Sequence, residues 1–361
     1  MTQGSERAVT PWREVPEKDW YNWRWQLAHR LRDPVLLPGK ILAHGIEREE
    51  IVKVTNNYPL CVTPYYLSLI GSGRDIDPIH IQCIPRRQEL DCGNGCDPDP
   101  LQEEAAMPVP GVIHRYADRC LVMVTRQCAV HCRHCNRKRR WRSAGSAVET
   151  IGIAQMVEYV SSNRKIREVI FSGGDPLIWS DRKLDTLLGA FRAISHVEVL
   201  RIGSRIPVVL PMRITQALCR ILKRHRPLWF NTQFNHPAEI TPESSRACEM
   251  LLESGIPVSN QSVLLRGVND SFAAMRDLLY GLQRISVRPY YLFQCEPVTG
   301  AGHFRVDLEV GKTIMEKIWR ECSGLCQPSY VVDTAQGRGK VPLPLHSSLS
   351  SGEFAWYGER T

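Results

Sequence analysis

From Cys120 onward the chain alternates short runs of β-branched and aromatic residues with longer amphipathic stretches. This alternation restricts the fold to βα units around a mainly parallel sheet. Strands are predicted near 120–125, 169–171, 197–203, 228–234, 257–264 and 288–294, with a seventh short one at Ser329-Tyr-Val-Val332. Between the later strands the repeat is about 30 residues, the length of one strand, one crossover helix and two short loops. Helices are expected over 149–162, 182–194, 214–225, 242–254, 271–285 and 308–321. The fourth opens at Thr241-Pro-Glu-Ser, with Pro242 in a first turn where its missing N–H is harmless. Six consecutive units fit a partial barrel or an open doubly wound sheet, and in either case function sits at the carboxyl ends of the strands.

The residues at those ends are polar and unusual. Ser172-Gly-Gly-Asp175 follows the second predicted strand, Ser204-Arg205 the third, Asn235-His236 the fourth and Cys295-Glu296 the sixth, with Gln261 inside the fifth. After the first comes Cys128-Ala-Val-His-Cys132-Arg-His-Cys135, three thiols within eight residues. Three cysteines are one short of the four that close an iron–sulfur or zinc site, so a metal held there keeps an open coordination position. A closed zinc site completed by His131 or His134 is the alternative on spacing alone. Cys92 and Cys96, and Cys322 and Cys326, share a second spacing and form a further candidate metal set, although each pair lacks the two-residue gap of a metal knuckle.

The 13 cysteines are an odd number, spread from Cys61 to Cys326 with no signal peptide, which argues against a disulfide framework and for a reduced cytoplasmic setting. No apolar run approaches a membrane span. The net charge of +8 is moderate, and its densest run is Arg137-Lys-Arg-Arg140 followed by Arg142. That run reads as a solvated face, a nucleic-acid patch or an anion site.

Residues 1–108 have another texture. Asp19-Trp-Tyr-Asn-Trp-Arg-Trp25 begins an amphipathic helix whose tryptophans are expected to pack, and Asp91 to Pro108 reads as a loop before the core. The expected organisation is a mainly helical region over 1–108, a (β/α)6 core over 109–307 and a C-terminal segment over 308–361.

The cysteine loop combined with the Gly-Gly turn about 40 residues later resembles the radical S-adenosylmethionine superfamily. There a CxxxCxxC loop carries a [4Fe–4S] cluster, and the turn after the second strand receives the methionine end of the cofactor. The resemblance narrows to the lysine 2,3-aminomutase family through Asn22-Trp-Arg-Trp-Gln26, Pro108-Val-Pro-Gly111, His114-Arg-Tyr-Ala-Asp-Arg119, Arg201-Ile-Gly-Ser-Arg-Ile-Pro-Val-Val-Leu-Pro211, Phe234-Asn-His-Pro, Asn260-Gln-Ser-Val-Leu-Leu-Arg-Gly-Val-Asn-Asp270 and Arg288-Pro-Tyr-Tyr291. It runs from about residue 19 to about residue 343.

The resemblance implies an α/β fold, a partial radical-SAM barrel with a short C-terminal glycine-rich lysine loop and tail, and an isomerase acting on an amino acid. Its implied cofactors are the cluster on Cys128, Cys132 and Cys135, S-adenosylmethionine near His134, Ser172, Gly173, Gly174, Asp175 and Gln261, and pyridoxal phosphate. In Val332-Asp-Thr-Ala-Gln-Gly-Arg-Gly-Lys340 the last residue stands where the family binds pyridoxal phosphate covalently, with Arg115, Tyr116 and Arg119 at its phosphate positions. Two guanidiniums and a phenol suit a dianion. Arg137 falls where the family clamps the substrate α-carboxylate, which leaves Lys138, Arg139, Arg140 and Arg142 as surface or supporting groups. A flavodoxin or ferredoxin as electron donor and a homo-oligomer are likewise implied, with no membrane or nucleic-acid partner.

Substrate choice in the family is read at Glu296 and Asp333. Both are anionic, which favours a cationic side chain and disfavours glutamate. Lysine-specific members carry aspartate at the first, and here Glu296 is followed by Pro297, Arg338 interrupts the glycine run, Gln233 replaces a common histidine and Phe293 a common tyrosine. A planar guanidinium can take paired bonds from two carboxylates, so L-arginine is favoured slightly over L-lysine. A branch that supplies β-lysine for modifying a translation elongation factor lacks the Asn22-Trp-Arg-Trp-like opening. A zinc-holding, basic nucleic-acid-binding module remains the reading from a different class.

Overall fold

The computed structural model describes residues 12, 14–42, 45–71, 77–91, 95–142, 152–334 and 339–343. Nine strands form one sheet in chain order: β1 Val112–Tyr116, β2 Arg119–Thr125, β3 Glu168–Gly173, β4 Val199–Gly203, β5 Leu228–Thr232, β6 Val258–Leu264, β7 Arg288–Gln294, β8 Ser329–Thr334 and β9 Gly339–Pro342. From β2 to β8 every neighbour is parallel. The (β/α) core is therefore a partial barrel, with each predicted strand in place.

Period-two alternation explains the two faces. Val169, Phe171, Leu200, Ile202, Leu228 and Phe230 are buried in the core shared with the crossover helices. Their alternates, including Ile170, Ser172, Arg201, Gly203 and Asn231, line an internal cavity instead. The inner face of this barrel is thus a polar chamber rather than packed layers of aliphatic side chains.

The crossover helices run over Ile153–Ser162, Asp181–Arg192, Gln216–Arg224, Pro242–Glu253, Phe272–Arg284 and Leu308–Glu321. In Asp181–Arg192 the buried Leu184, Leu187, Leu188 and Phe191 recur at helical spacing. Ser180, Thr215, Thr241, Ser271 and Asp307 each cap the following helix through a side-chain oxygen, worth about 1 kcal/mol apiece.

Two edge elements escape the sequence pattern. β1 pairs antiparallel with β2, and β9 antiparallel with β8. Both are short, five and four residues, so neither shows a clear alternation. They bring the two edges of the sheet together through side chains: Arg115 on β1 pairs with Asp333 on β8, and Lys340 on β9 donates to the Tyr116 hydroxyl. Gly339 permits the approach, for it has φ +65° and a Cβ there would lie 2.5 Å from the Tyr116 ring. The barrel is nearly closed.

The N-terminal region is a set of short helices. The expected amphipathic helix breaks into Glu17–Trp20 and Trp23–Ala28, because the Asn22 side chain accepts from Arg24 N and caps the second. Its tryptophans pack: Trp20 is buried, Trp25 stacks on His29 at 4.1 Å, and Arg213 lies 4.5 Å over Trp23. Among the described residues no helix is long and apolar enough to cross a membrane.

Candidate active site

A cavity of about 590 Å³ opens at the carboxyl ends of the parallel strands. Every site residue expected from the sequence lines it: Cys128, Cys132 and Cys135; His134, Ser172, Gly173, Gly174, Asp175 and Gln261; Arg115, Tyr116, Arg119 and Lys340; Arg137, Glu296 and Asp333. Gly337 and Arg338 lie outside the described residues.

The cysteine loop is held from outside the barrel. His131 N donates to Cys61 O, Arg133 N to Gln82 O, and Arg30 to Cys128 O. The fully buried Arg133 forks onto Glu89 and also donates to Pro59 O and Tyr58 O. Lys138, expected as a surface or supporting group, is buried in a supporting place, with Nζ 2.9 Å from Glu89. One carboxylate therefore neutralises two cations, and despite burial these partners hold Glu89 below its ordinary range. The N-terminal helices act as a clamp on this loop.

Burial and the neighbouring thiols push Cys135 up to about 11 and raise Cys128 well above its ordinary range. A cationic metal bound to these two thiols would relieve that penalty. Among the described residues no three His, Cys, Asp or Glu side chains converge as ligands of a single ion. His131 is engaged elsewhere, stacked on Trp141 at 4.5 Å and bonded to Pro59 O. Cys96 packs against Gly302 while Cys326 donates to Gln283, so those two serve different places; Cys92 lies outside the described residues.

The Gly-Gly turn lines the cavity and also packs closely against backbone. A Cβ on Gly174 would sit 2.1 Å from Gln127 O, and one on Gly173 2.6 Å from Thr125 O. The missing side chains make room for the strand end that leads into the cysteine loop. Gly174 N and Asp175 N donate to those same carbonyls. Asp175 accepts from Leu177 N, Ser204 Oγ and Arg205 N, and burial raises its carboxyl to about 6.

Among the described residues, His134 Nδ1 and Thr232 Oγ1 are buried in the cavity lining without a hydrogen-bond partner. The His134 ring is kept neutral by burial and by Arg205, and its Nε2 faces the amide groups of Gln233 and Asn235 at 3.2 and 3.4 Å. With Nε2 as acceptor, the proton belongs on Nδ1, which leaves an unused donor in the chamber. A nitrogen heterocycle such as adenine offers matching acceptors. Gln233, noted as a departure from the family, thus sits against this ring.

Across the cavity Lys340 Nζ lies 3.3 Å from both Tyr116 Oη and Asp333 Oδ2. Arg115 donates to Asp333 and to Thr334 O. Arg119 stacks 3.8 Å over the Tyr116 ring and is part-exposed, with Asp118 as its ion-pair partner. An amine, two guanidiniums and a phenol in one corner fit an aldehyde that carries a phosphate dianion.

Arg137 is gripped by a residue that the sequence reading passed over. Glu103 accepts from its Nε and Nη2, at 2.6 to 3.0 Å. Although burial opposes it, this pairing lowers Glu103 to about 2 and raises Arg137. Nε and Nη2 form one edge of the guanidinium, so the Nη1 side is left for a second carboxylate. Arg139 pairs with Asp99, Glu103 and Glu104, and Arg140 with Glu104, so the acidic loop answers the basic run. Glu296 is raised to about 7, first by burial and then by Asp333, with an Asn136 hydrogen bond opposing. Glu103 and Asn136 left no periodic signal; only the sign match between residues 97–104 and 137–140 could have pointed to the former.

The profile of the Radical SAM superfamily matches residues 122–279, from β2 into the helix before β7. The L-lysine 2,3-aminomutase of Fusobacterium nucleatum is 44% identical over 329 residues, covering 91% of this chain and 77% of that protein. That of Acetoanaerobium sticklandii is 45% identical over 329 residues, covering 91% and 80%. The glutamate 2,3-aminomutase of Clostridioides difficile is 40% identical over 336 residues, covering 93% and 79%.

Proposed function

We propose that this chain, which belongs to the lysine 2,3-aminomutase family within the radical SAM superfamily, moves the α-amino group of a basic L-α-amino acid to Cβ, with L-arginine slightly favoured over L-lysine. Members of the family are isomerases, and the radical SAM domain brings S-adenosylmethionine and an iron–sulfur cluster with it. The observation that supports the finer reading is one cavity holding the three cysteines, the Lys340 corner and the paired acids Glu296 and Asp333.

Cys128, Cys132 and Cys135 would hold a [4Fe–4S] cluster with one iron open to S-adenosylmethionine, which supplies the radical that starts the reaction. Pyridoxal phosphate on Lys340 would supply the π-system across which nitrogen passes between adjacent carbons. The chain's own part is to orient and to exclude water, since a carbon radical abstracts hydrogen from whatever is near. Arg137, fixed by Glu103, offers its remaining edge to the substrate carboxylate. His134 offers Nδ1–H to the adenine. Arg115, Tyr116 and Arg119 receive the phosphate.

Glu296 and Asp333 favour a substrate that ends in a cation. A glutamate side chain would place a third carboxylate beside two that already repel each other. A guanidinium spreads its charge over a planar fork and can bridge two acids, which supports arginine; two of the three named relatives are L-lysine 2,3-aminomutases, which supports lysine. A low-potential electron-transfer protein would reduce the cluster.

The test is anaerobic incubation of the reconstituted enzyme with reductant, both cofactors, and either L-arginine or L-lysine. Chromatography with mass detection should find a β-amino acid of unchanged mass, formed faster from arginine. If neither is turned over while another amino acid is, the meaning given to Glu296 and Asp333 fails.

A further inference from the structure

Arg205, which follows β4, is buried at the floor of the cavity and serves two sets of partners from two nitrogens. Nη2 donates to Glu239 Oε1 and Gln82 Oε1, both at 2.6 Å, and to the Tyr66 hydroxyl at 3.2 Å. Nη1 points instead to Cys132 Sγ at 2.8 Å. Nε donates to Gln233 O, and the backbone N to Asp175. Two of the three guanidinium nitrogens, Nε and Nη2, are therefore locked by other partners, and the third is aimed at a sulfur of the cysteine loop.

We infer that Arg205 tunes the iron–sulfur cluster: its fixed positive charge and N–H···S bond to the Cys132 thiolate make the cluster easier to reduce. This rests on the reading of Cys128, Cys132 and Cys135 as cluster ligands. Hydrogen bonds to ligand sulfurs and net charge near a cluster are among the factors that set its potential. A donor to a thiolate withdraws electron density from it, and a nearby cation favours the more negative, reduced state. The step concerned is a one-electron reduction of the cluster by an external low-potential donor, in which no bond is made or broken. Arg205 is a positioning and tuning residue here and touches neither the substrate nor the migrating nitrogen.

A merely structural arginine predicts otherwise. The Nη2 side already ties the N-terminal region, through Tyr66 and Gln82, to the barrel loop of Glu239. That role needs nothing from Nη1. Glu239 also accepts from Asn235 N and His236 N, so its carboxylate keeps hydrogen bonds when Arg205 is replaced.

The experiment is a redox titration of the anaerobically reconstituted enzyme, followed by the paramagnetic resonance of the reduced cluster, for wild type, Arg205→Lys and Arg205→Gln. Iron content and thermal unfolding are measured alongside. Wild type lacking iron and the reduced-cluster signal would defeat the cluster reading itself. With that signal present, the midpoint should shift to more negative potential in Arg205→Gln, and by less in Arg205→Lys, which keeps the charge but cannot fork between Cys132 and Glu239. If Arg205→Gln fails to hold iron, Arg205→Lys decides. An iron-loaded variant of either kind that titrates at the wild-type midpoint overturns the inference.

Discussion

Glu296 shows most directly how one residue couples fold and function. Its carboxyl sits near 7 rather than at its ordinary 4.5, because burial and Asp333 both oppose its charge. Between those two pH values the unfolded chain has released the proton and the folded chain has kept it. The stability this contributes is complete below pH 4.5 and is lost as pH rises through about 7. Glu296→Gln should therefore be more stable than wild type at pH 8, by about 3 kcal/mol, and no different near pH 4, as denaturant unfolding at the two pH values will show. Activity should run the other way, because a cationic substrate needs the ionised carboxylate. For wild type kcat/KM should rise with pH through about 7, whereas Glu296→Gln should lack that inflection and lose at least about tenfold in kcat/KM at pH 8. A pH profile that is identical in the variant would remove Glu296 from substrate recognition.

At the scale of elements, the barrel was legible because buried strands and amphipathic helices repeat with periods that the sequence displays. Leu184, Leu187, Leu188 and Phe191 announce their helix, and Val169 with Phe171 their strand. The clamp on the cysteine loop was not legible, since Glu89 meets Arg133 and Lys138 across 44 and 49 residues, and no local period encodes such a pairing. Glu89→Gln should leave two buried cations short of a counter-charge and cost about 3 kcal/mol in unfolding experiments, with neutralisation of Lys138, already lowered to about 8 mainly by burial, limiting the loss. The Gly-Gly turn was legible as a motif, but its close packing against the Thr125 and Gln127 carbonyls was not. Gly174→Ala would force a Cβ onto the Gln127 carbonyl, so iron content should fall while the circular dichroism of the sheet persists. Gly203→Ala is the control, because its nearest neighbour would be Ser172 Oγ at an ordinary 3.6 Å, and it should retain iron. Equal iron in both variants would mean that the loop adjusts freely.

Across the whole molecule the site is assembled from the two ends of one sheet. The cysteines follow β2, while Lys340 arrives on β9, which meets β1 only because the curved sheet brings its edges together. Neither edge strand was predicted, since Val112–Tyr116 and Gly339–Pro342 are too short to display a period and pair antiparallel with their neighbours. Yet they determine where the Lys340 corner stands. The two poles share a cavity but few direct contacts: Arg133, Glu89 and the N-terminal clamp secure one, while Arg115, Tyr116 and Asp333 secure the other. Damage at one pole should therefore spare the other. Cys128→Ala should lose iron and all S-adenosylmethionine cleavage while borohydride still traps a pyridoxyl adduct on Lys340, detected by peptide mass. Lys340→Ala should show the reverse, with no trapped adduct at that position, full iron content and residual reductive cleavage of S-adenosylmethionine. A Lys340→Ala protein without iron, or a Cys128→Ala protein without the adduct, would mean that the two poles fold as one unit, and that closure of the barrel stabilises the cysteine loop as much as the N-terminal clamp does.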